Sequence, residues 1–248
     1  MFAPEYRERV REHILRMARE DRRIVAGAAV GSDAVGHSDR WSDIDLTFGL
    51  ADGVSATQLL DDWAVDLDRN FEAVRMFDVA DRRTTYRVFL LPGNLQVDLS
   101  ATPGFVAENG PRFKLLFGTA TWKEYSLPRR PREAFGSGVH HAVRARLCIE
   151  RGRPWQAEYW IRRARDEALS LACLRRGFTP DHGRGLDQLP PDVLAAAAES
   201  LVHSTDRAEL LRALSRVIDL LLTEGVEVHD LTSRLAGPLK DLLRDIGP

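Results

Sequence analysis

The first half of the chain alternates short apolar runs with polar turns, a pattern typical of a sheet with flanking helices. A helical period over residues 5–19 predicts a first helix, and Ser55 is the predicted N-cap of a second one that runs to Asn70. Residues 105–117 are expected to pack along the edge of the sheet. Apolar runs and alternation predict five strands, at 24–30, 43–50, 71–79, 84–91 and 95–99.

The pattern changes after residue 130, where strand signals end and the helical period dominates. The proline-punctuated basic segment 127–132 is the predicted linker, so the predicted domains are 1–130 and 131–248. Five helical patterns follow, at 133–151, 155–176, 192–202, 206–224 and 228–244. This order, a sheet with helices and then helices alone, predicts an α+β chain.

Two carboxylates open the second predicted strand. Asp43 and Asp45 are separated by Ile44, and strand residues two apart face the same side. Two unit charges about 4 Å apart repel by roughly 4 kcal/mol at an effective dielectric near 20. A fold that keeps them together needs a cation or a protonated partner, and carboxylates are ligands that Mg²⁺ prefers.

Gly31 and Ser32, which follow the first apolar strand, provide a complementary phosphate site. Glycine lets the backbone approach a phosphate closely, while exposed amides and the serine hydroxyl donate to its oxygens. In the loop beyond them, Arg40 is a candidate for phosphate contact and Trp41 for contact with a base, the alternative being ordinary surface residues. His37 lacks a second ligand at metal-binding spacing and is expected to be a solvated loop histidine.

The Gly-Ser pair, a gap of about ten residues and the Asp-apolar-Asp step resemble the nucleotidyltransferase superfamily, which includes DNA polymerase β and the antibiotic nucleotidyltransferases. The resemblance implies a polymerase β-like mixed sheet with flanking helices, followed by a C-terminal helical bundle. It also implies a third acid on a later strand, best matched by Asp98. Taken alone, Asp98 is a surface acid that alternates with apolar neighbours.

For the chemistry, the resemblance implies Mg²⁺-dependent transfer of a nucleoside monophosphate from ATP or another NTP to a small-molecule hydroxyl, with release of pyrophosphate. The acceptor would be an aminoglycoside- or lincosamide-like antibiotic. Asp43 and Asp45 would bridge two Mg²⁺ ions, and Asp98 would bind the catalytic one. Glu158 is the candidate base of the helical domain, the alternative being a surface ion pair with Arg162 four residues later.

Two other classes of function stay open. One is a protein adenylyltransferase of the antitoxin type, against which the long helical domain argues. The other is a catalytically silent member that binds a nucleotide or a partner, against which the presence of all three acids argues. A polymerase is least supported, because no basic groove signal stands out in the sequence, whose formal net charge is -2.

Composition and hydropathy indicate which binding partners and which cellular location to expect. No stretch approaches membrane-spanning length, and the two cysteines, Cys148 and Cys173, are expected to be reduced, so a cytoplasmic enzyme is predicted. The expected partners are an NTP and a small-molecule acceptor, without nucleic acid or membrane. The oligomeric state is open, and a homodimer is one option.

Overall fold

The computed structural model describes residues 1–36, 39–81, 84–109, 113–124 and 130–244. The chain divides into two compact units, Met1–Ser126 and Leu127–Pro248, against a predicted domain boundary after residue 130. His37, the turn residues 82–83 and residues 127–129 of the predicted linker lie outside the described residues.

The first unit is a mixed sheet with two helices. The helices are α1 (Pro4–Glu20) and α2 (Ala56–Phe71), and the strands are β1 (Ile24–Val30), β2 (Ile44–Leu50), β3 (Val74–Asp81), β4 (Thr84–Leu91), β5 (Leu95–Pro103), β6 (Val106–Asn109), β7 (Phe113–Gly118) and β8 (Thr121–Glu124). Phe71, predicted to begin the third strand, ends α2 instead. The Ser55 hydroxyl accepts a hydrogen bond from the Gln58 amide at 3.4 Å, which confirms the predicted cap.

Six strands form the main sheet in the order β3-β4-β5-β2-β1-β7. The β2–β5 pair is parallel and the other four neighbouring pairs are antiparallel, while β6 and β8 form a separate parallel pair. The two-residue period of β2 buries Ile44, Leu46 and Phe48 on the face that carries the helices. Asp45 and Thr47 therefore lie on the opposite face, which we call the open face. The helices cover the first face with Val10, Ile14, Leu59, Leu60, Trp63 and Leu67.

The sheet extends beyond residue 99, where the last predicted strand ends. β5 runs to Pro103, and β7 then pairs antiparallel with β1, with Leu115 opposite Ala28. On the open face, Ala26 and Ala28 are too small to fill their surroundings, and Phe105 packs over them together with Leu115. The segment predicted to pack along the edge of the sheet thus supplies its edge strand.

The second unit is helical. Its helices are α3 (Pro131–Glu150), α4 (Pro154–Arg175), α5 (Pro191–Glu199), α6 (Arg207–Glu224) and α7 (His229–Asp241). Proline at the start of α3, α4 and α5 is tolerated because the first-turn amide needs no partner within the helix. Fully buried alanines let α3 and α4 pack closely, among them Ala142, Ala145, Ala157, Ala164 and Ala168.

The predicted fold class is confirmed: an α+β chain with a mixed sheet, flanking helices and a C-terminal group of helices. In the part of the chain that the structure describes, no helix combines the length and the apolar character needed to cross a bilayer.

Candidate metal centre

Three carboxylates converge at one point on the open face. Asp43 directly precedes β2, Asp45 lies on β2, and Asp98 lies on β5 directly opposite Asp45. Each offers one oxygen, and these three oxygens all lie within 4.8 Å of one another. All three acids are half-buried. Among the described residues, this is the one group of three such side chains that could hold a metal ion.

The register of the β2–β5 pair brings these acids together. Ile44 lies opposite Val97 and Leu46 opposite Leu99, and all four side chains are buried against the helices. Burying them turns the intervening acids to the open face, on strands about 4.8 Å apart. A slip of one residue would send Asp98 into the apolar core, so the core itself specifies the site.

The surroundings of Asp98 suit a cation. Burial raises the pKa of Asp98 above its ordinary value, and the negative charge of Asp43 raises it further. Gln96 opposes both effects, because its amide Nε2 donates to the two Asp98 oxygens at 2.9 and 3.2 Å. A divalent cation would favour the charged carboxylate, and three oxygen donors of this kind are what Mg²⁺ accepts. The residues present therefore fit such an ion.

Gly31 lies against the acids from the end of β1. Its φ of 68° is left-handed, and a Cβ added there would collide with Oδ2 of Asp45. The position thus requires glycine both for backbone conformation and for close approach to the carboxylate. Ser32 follows at the start of a short 3₁₀ turn, Asp33–Val35, and its hydroxyl makes no capping hydrogen bond there.

Gly31→Ala tests this close approach, and Gly36→Ala is a matched control. Both glycines have a φ of 68°, but a Cβ at Gly36 meets no atom within 4 Å. Both substitutions should cost about 1–2 kcal/mol of unfolding free energy from backbone strain. Only Gly31→Ala should also weaken Mg²⁺ binding, because it displaces the Asp45 carboxylate. Urea unfolding and Mg²⁺ titration measure the two effects; equal loss of Mg²⁺ affinity in both variants would contradict the interpretation.

Arg7, which the sequence analysis missed, closes the loop between β1 and β2. Its Nη2 donates to Oδ1 of Asp33 at 2.5 Å and to the carbonyl oxygen of Asp43 at 2.9 Å. Its Nε donates to the carbonyl oxygen of Ser42 at 2.9 Å. One buried guanidinium from α1 therefore holds the start of the loop and the backbone of the first acid together.

A signal for Arg7 was present in the helical pattern. Arg7 lies in phase with Val10, Ile14 and Ala18, all of them on the buried face of α1. An arginine on such a face needs buried acceptors, because an unpaired buried charge is costly. The helical pattern alone does not show where those acceptors lie, because they belong to the loop between β1 and β2.

The predicted contacts with a nucleotide lie beside the acids. Trp41 is 54% exposed, and the guanidinium carbon of Arg40 lies 4.3 Å from the centre of its ring. The Asp39 carboxylate accepts a hydrogen bond from the Trp41 amide at 2.8 Å, which shapes the turn into Asp43. A cleft of about 280 Å³ opens there, lined by Phe2, Trp41, Ser42, Asp43, Asn94 and Gln96.

Glu158 belongs to α4 in the second unit, where it is half-buried. Its expected ion-pair partner, Arg162, instead approaches Asp166 at 3.8 Å, as does Arg163 at 3.9 Å. A base role for Glu158 stays a prediction.

No family model matches the sequence, and no curated protein matches it. Among solved structures, the chain is similar to an aminoglycoside 6-adenyltransferase from Bacillus subtilis, with 11% identity, a TM-score of 0.43, and coverage of 94% of this chain and 96% of that one. It is also similar to a nucleotidyltransferase-like protein from Exiguobacterium sibiricum 255-15, with 12% identity, a TM-score of 0.40, and coverage of 90% and 77%.

The structure of the chain itself shows a mixed sheet, a glycine turn after β1, and facing acids on β2 and β5. These are features that the sequence resemblance to the nucleotidyltransferases implies.

Proposed function

We propose that this chain is a nucleotidyltransferase that transfers a nucleoside monophosphate from an NTP, with ATP as the first candidate, to the hydroxyl of a small molecule. The observation that carries the proposal is the direct pairing of Asp45 with Asp98, beside Asp43 and against Gly31. In the reaction, an acceptor hydroxyl oxygen bonds to the α-phosphorus, the bond to pyrophosphate breaks, and the hydroxyl proton passes to a base.

The residues of the cluster have distinct proposed roles. Asp43, Asp45 and Asp98 would hold two Mg²⁺ ions, which when bound neutralise charge on the attacking and leaving oxygens of an in-line displacement. Asp98 would accept the acceptor's proton in the case that Glu158 only holds substrate amines. Gly31 and Ser32 present backbone amides and a hydroxyl that can donate to the β- and γ-phosphate oxygens.

Arg40 and the cleft complete the proposed nucleotide site. The cleft lined by Trp41 and Asp43 offers an aromatic edge for the base of the triphosphate next to the acids. Arg40 is stacked on Trp41 and carries a permanent positive charge three residues before Asp43. It is the proposed further phosphate contact.

The helical unit is proposed to serve the acceptor, with Glu158 as a base or as a holder of substrate amines. Glu158→Gln is then expected to lower kcat with the acceptor about a hundredfold, as removal of a general base does, while leaving the Kd for Mg²⁺–ATP unchanged. Steady-state kinetics and nucleotide titration measure the two quantities, with Asp166→Asn as the control on the same helix. Unchanged kcat in Glu158→Gln removes the residue from the mechanism.

The proposed function is tested by pyrophosphate release with Mg²⁺ and each of the four ribonucleoside triphosphates. The acceptors are a panel of aminoglycosides and lincosamides with an acceptor-free blank, and Asp43→Asn is measured in parallel. Release that needs one acceptor and Asp43 supports small-molecule transfer and antibiotic modification. A silent panel with tight Mg²⁺–triphosphate binding would point instead to a protein acceptor or to a silent binding role.

A further inference from the structure

The open face of the sheet carries an apolar surface beside the acids. Six side chains of the β3–β4 hairpin form this surface, which we call the shelf: Val74, Phe77, Val79, Tyr86, Val88 and Leu90. Phe77 is 52% exposed and Tyr86 46%, whereas Val88, next to β5, is nearly covered at 8%. Aromatic and apolar side chains at this exposure, in one contiguous patch, mark a binding surface more often than isolated exposed residues do.

The shelf is continuous with the acidic cluster. Phe77 pairs with Val88, Val88 with Asp98, and Asp98 with Asp45, so these four residues form one row across the sheet. Since neighbouring strands are about 4.8 Å apart, the shelf begins one strand from Asp98, and Phe77 lies roughly 10 Å from it. A small molecule whose hydroxyl is at the acids would reach the shelf with its next few atoms.

Core packing does not account for the apolar side chains of the shelf. On the opposite face, the hairpin buries Phe89 and the fully buried Arg87, whose Nε and Nη2 donate to Asp78 at 2.8 and 2.7 Å. That ion pair holds the pKa of Asp78 below its ordinary value. The hairpin is therefore anchored from the helix side.

At the other end of the open face, over β1, the apolar surface of the sheet is covered by another segment of the same unit. Over β1, Ala26 and Ala28 are fully buried beneath Phe105, which itself is only 5% exposed. The shelf lacks such a cover in the described part of the unit, and the acids lie between the covered end and the bare end.

We propose that the shelf binds the acceptor, and that the acceptor is a hydroxyl compound with an apolar or aromatic section and few positive charges. This inference rests on the proposed function and deepens it. None of the six side chains is charged, so the shelf offers no negative charge to the ammonium groups of a polyamine sugar. In the proposed function the neighbouring acids bind metal ions instead. An apolar section would instead gain by leaving water on contact with Phe77 and Tyr86.

The experiment compares Phe77→Ser and Tyr86→Ser with Val65→Ser, an exposed apolar position on α2 whose side chain is 59% exposed. All three replace exposed side chains, so folding should be retained, and circular dichroism checks it. Binding is measured by isothermal titration with Mg²⁺ and without triphosphate. The probes are lincomycin and chloramphenicol as apolar hydroxyl compounds, and streptomycin and kanamycin as polycations.

We expect at least one apolar probe to bind wild type and Val65→Ser alike, and about tenfold more weakly to Phe77→Ser and Tyr86→Ser. Three results would overturn the proposal: no binding of either apolar probe, binding unchanged in the two shelf variants, or tighter binding of the polycations. Sedimentation of wild type as a dimer and of Phe77→Ser as a monomer would also overturn it, since a second copy would then occupy the shelf through edge strand β3.

Titration of the same samples with Mg²⁺ and each of the four ribonucleoside triphosphates separates this inference from the proposed function. Because the probe titration contains no triphosphate, shelf binding without binding of any triphosphate would disprove nucleotidyl transfer alone. Triphosphate binding and turnover with a polycation, without binding of the apolar probes, would disprove the shelf alone.

Discussion

Asp45→Asn is expected to reduce Mg²⁺-dependent pyrophosphate release about a thousandfold or more, because metal ions lower such barriers by several kcal/mol and each 1.4 kcal/mol is roughly tenfold. Asp45 is the central acid: it lies opposite Asp98, and its carboxylate lies against Gly31. Asparagine keeps the size of the side chain but removes the charge that neutralises the cation. Pyrophosphate release measured at saturating acceptor and nucleotide checks the prediction.

Asp52→Asn is the control for charge loss. Asp52 is exposed in the turn after β2, away from the cluster, and its substitution should leave the rate unchanged. Calorimetric Mg²⁺ titration of Asp45→Asn should show weaker binding as well. An Asp45→Asn protein with wild-type turnover and Mg²⁺ affinity would contradict the assignment of the site.

Arg7→Met is expected to lower the free energy of unfolding of the first unit by about 3 kcal/mol, the lower part of the range for breaking a buried ion pair. The substitution leaves the buried Asp33 carboxylate and the Ser42 and Asp43 carbonyl groups without the guanidinium. Arg11, whose Nε lies 3.5 Å from Asp33 Oδ2, limits the loss. Urea unfolding monitored by tryptophan fluorescence measures it.

Arg9→Met is the matched control, since Arg9 is exposed on the same helix and its loss should cost below about 1 kcal/mol. In the double variant Arg7→Met/Asp33→Asn the cost should be smaller than in Arg7→Met, because no buried charge is left unpaired. Activity of Arg7→Met should also fall at temperatures where the protein is fully folded, because the backbone of Asp43 is no longer held. Stability equal to that of Arg9→Met would rule out the proposed clamp.

Much of the fold follows from local pattern. The alternation on β2 predicts which side chains enter the core and which face away, and Ser55 predicts the start of α2. The helical bundle follows from its 3.6-residue period, with ends within a few residues of those predicted. These features are predictable because each depends on residues close together in the chain.

The candidate site was predictable only in part. Gly31, Asp43 and Asp45 stand in a short motif, whereas Asp98 needed the resemblance to single it out among other strand acids. Arg7 and β7 escaped prediction, since an arginine clamp and an edge strand are defined by partners far along the chain. The role of Glu158 and the division between the predicted domains stay predictions.

The sequence by itself determined the helices, the first five strands, the glycine turn and the pair of acids that share one face of a strand, because backbone sterics and side-chain periodicity act over a few residues. Only the tertiary structure decided that β5 lies parallel to β2 with Asp98 opposite Asp45, and that Phe77 and Val88 continue the same row. The reason is that strand order and register are set by the joint burial of side chains from distant segments, which no single segment encodes.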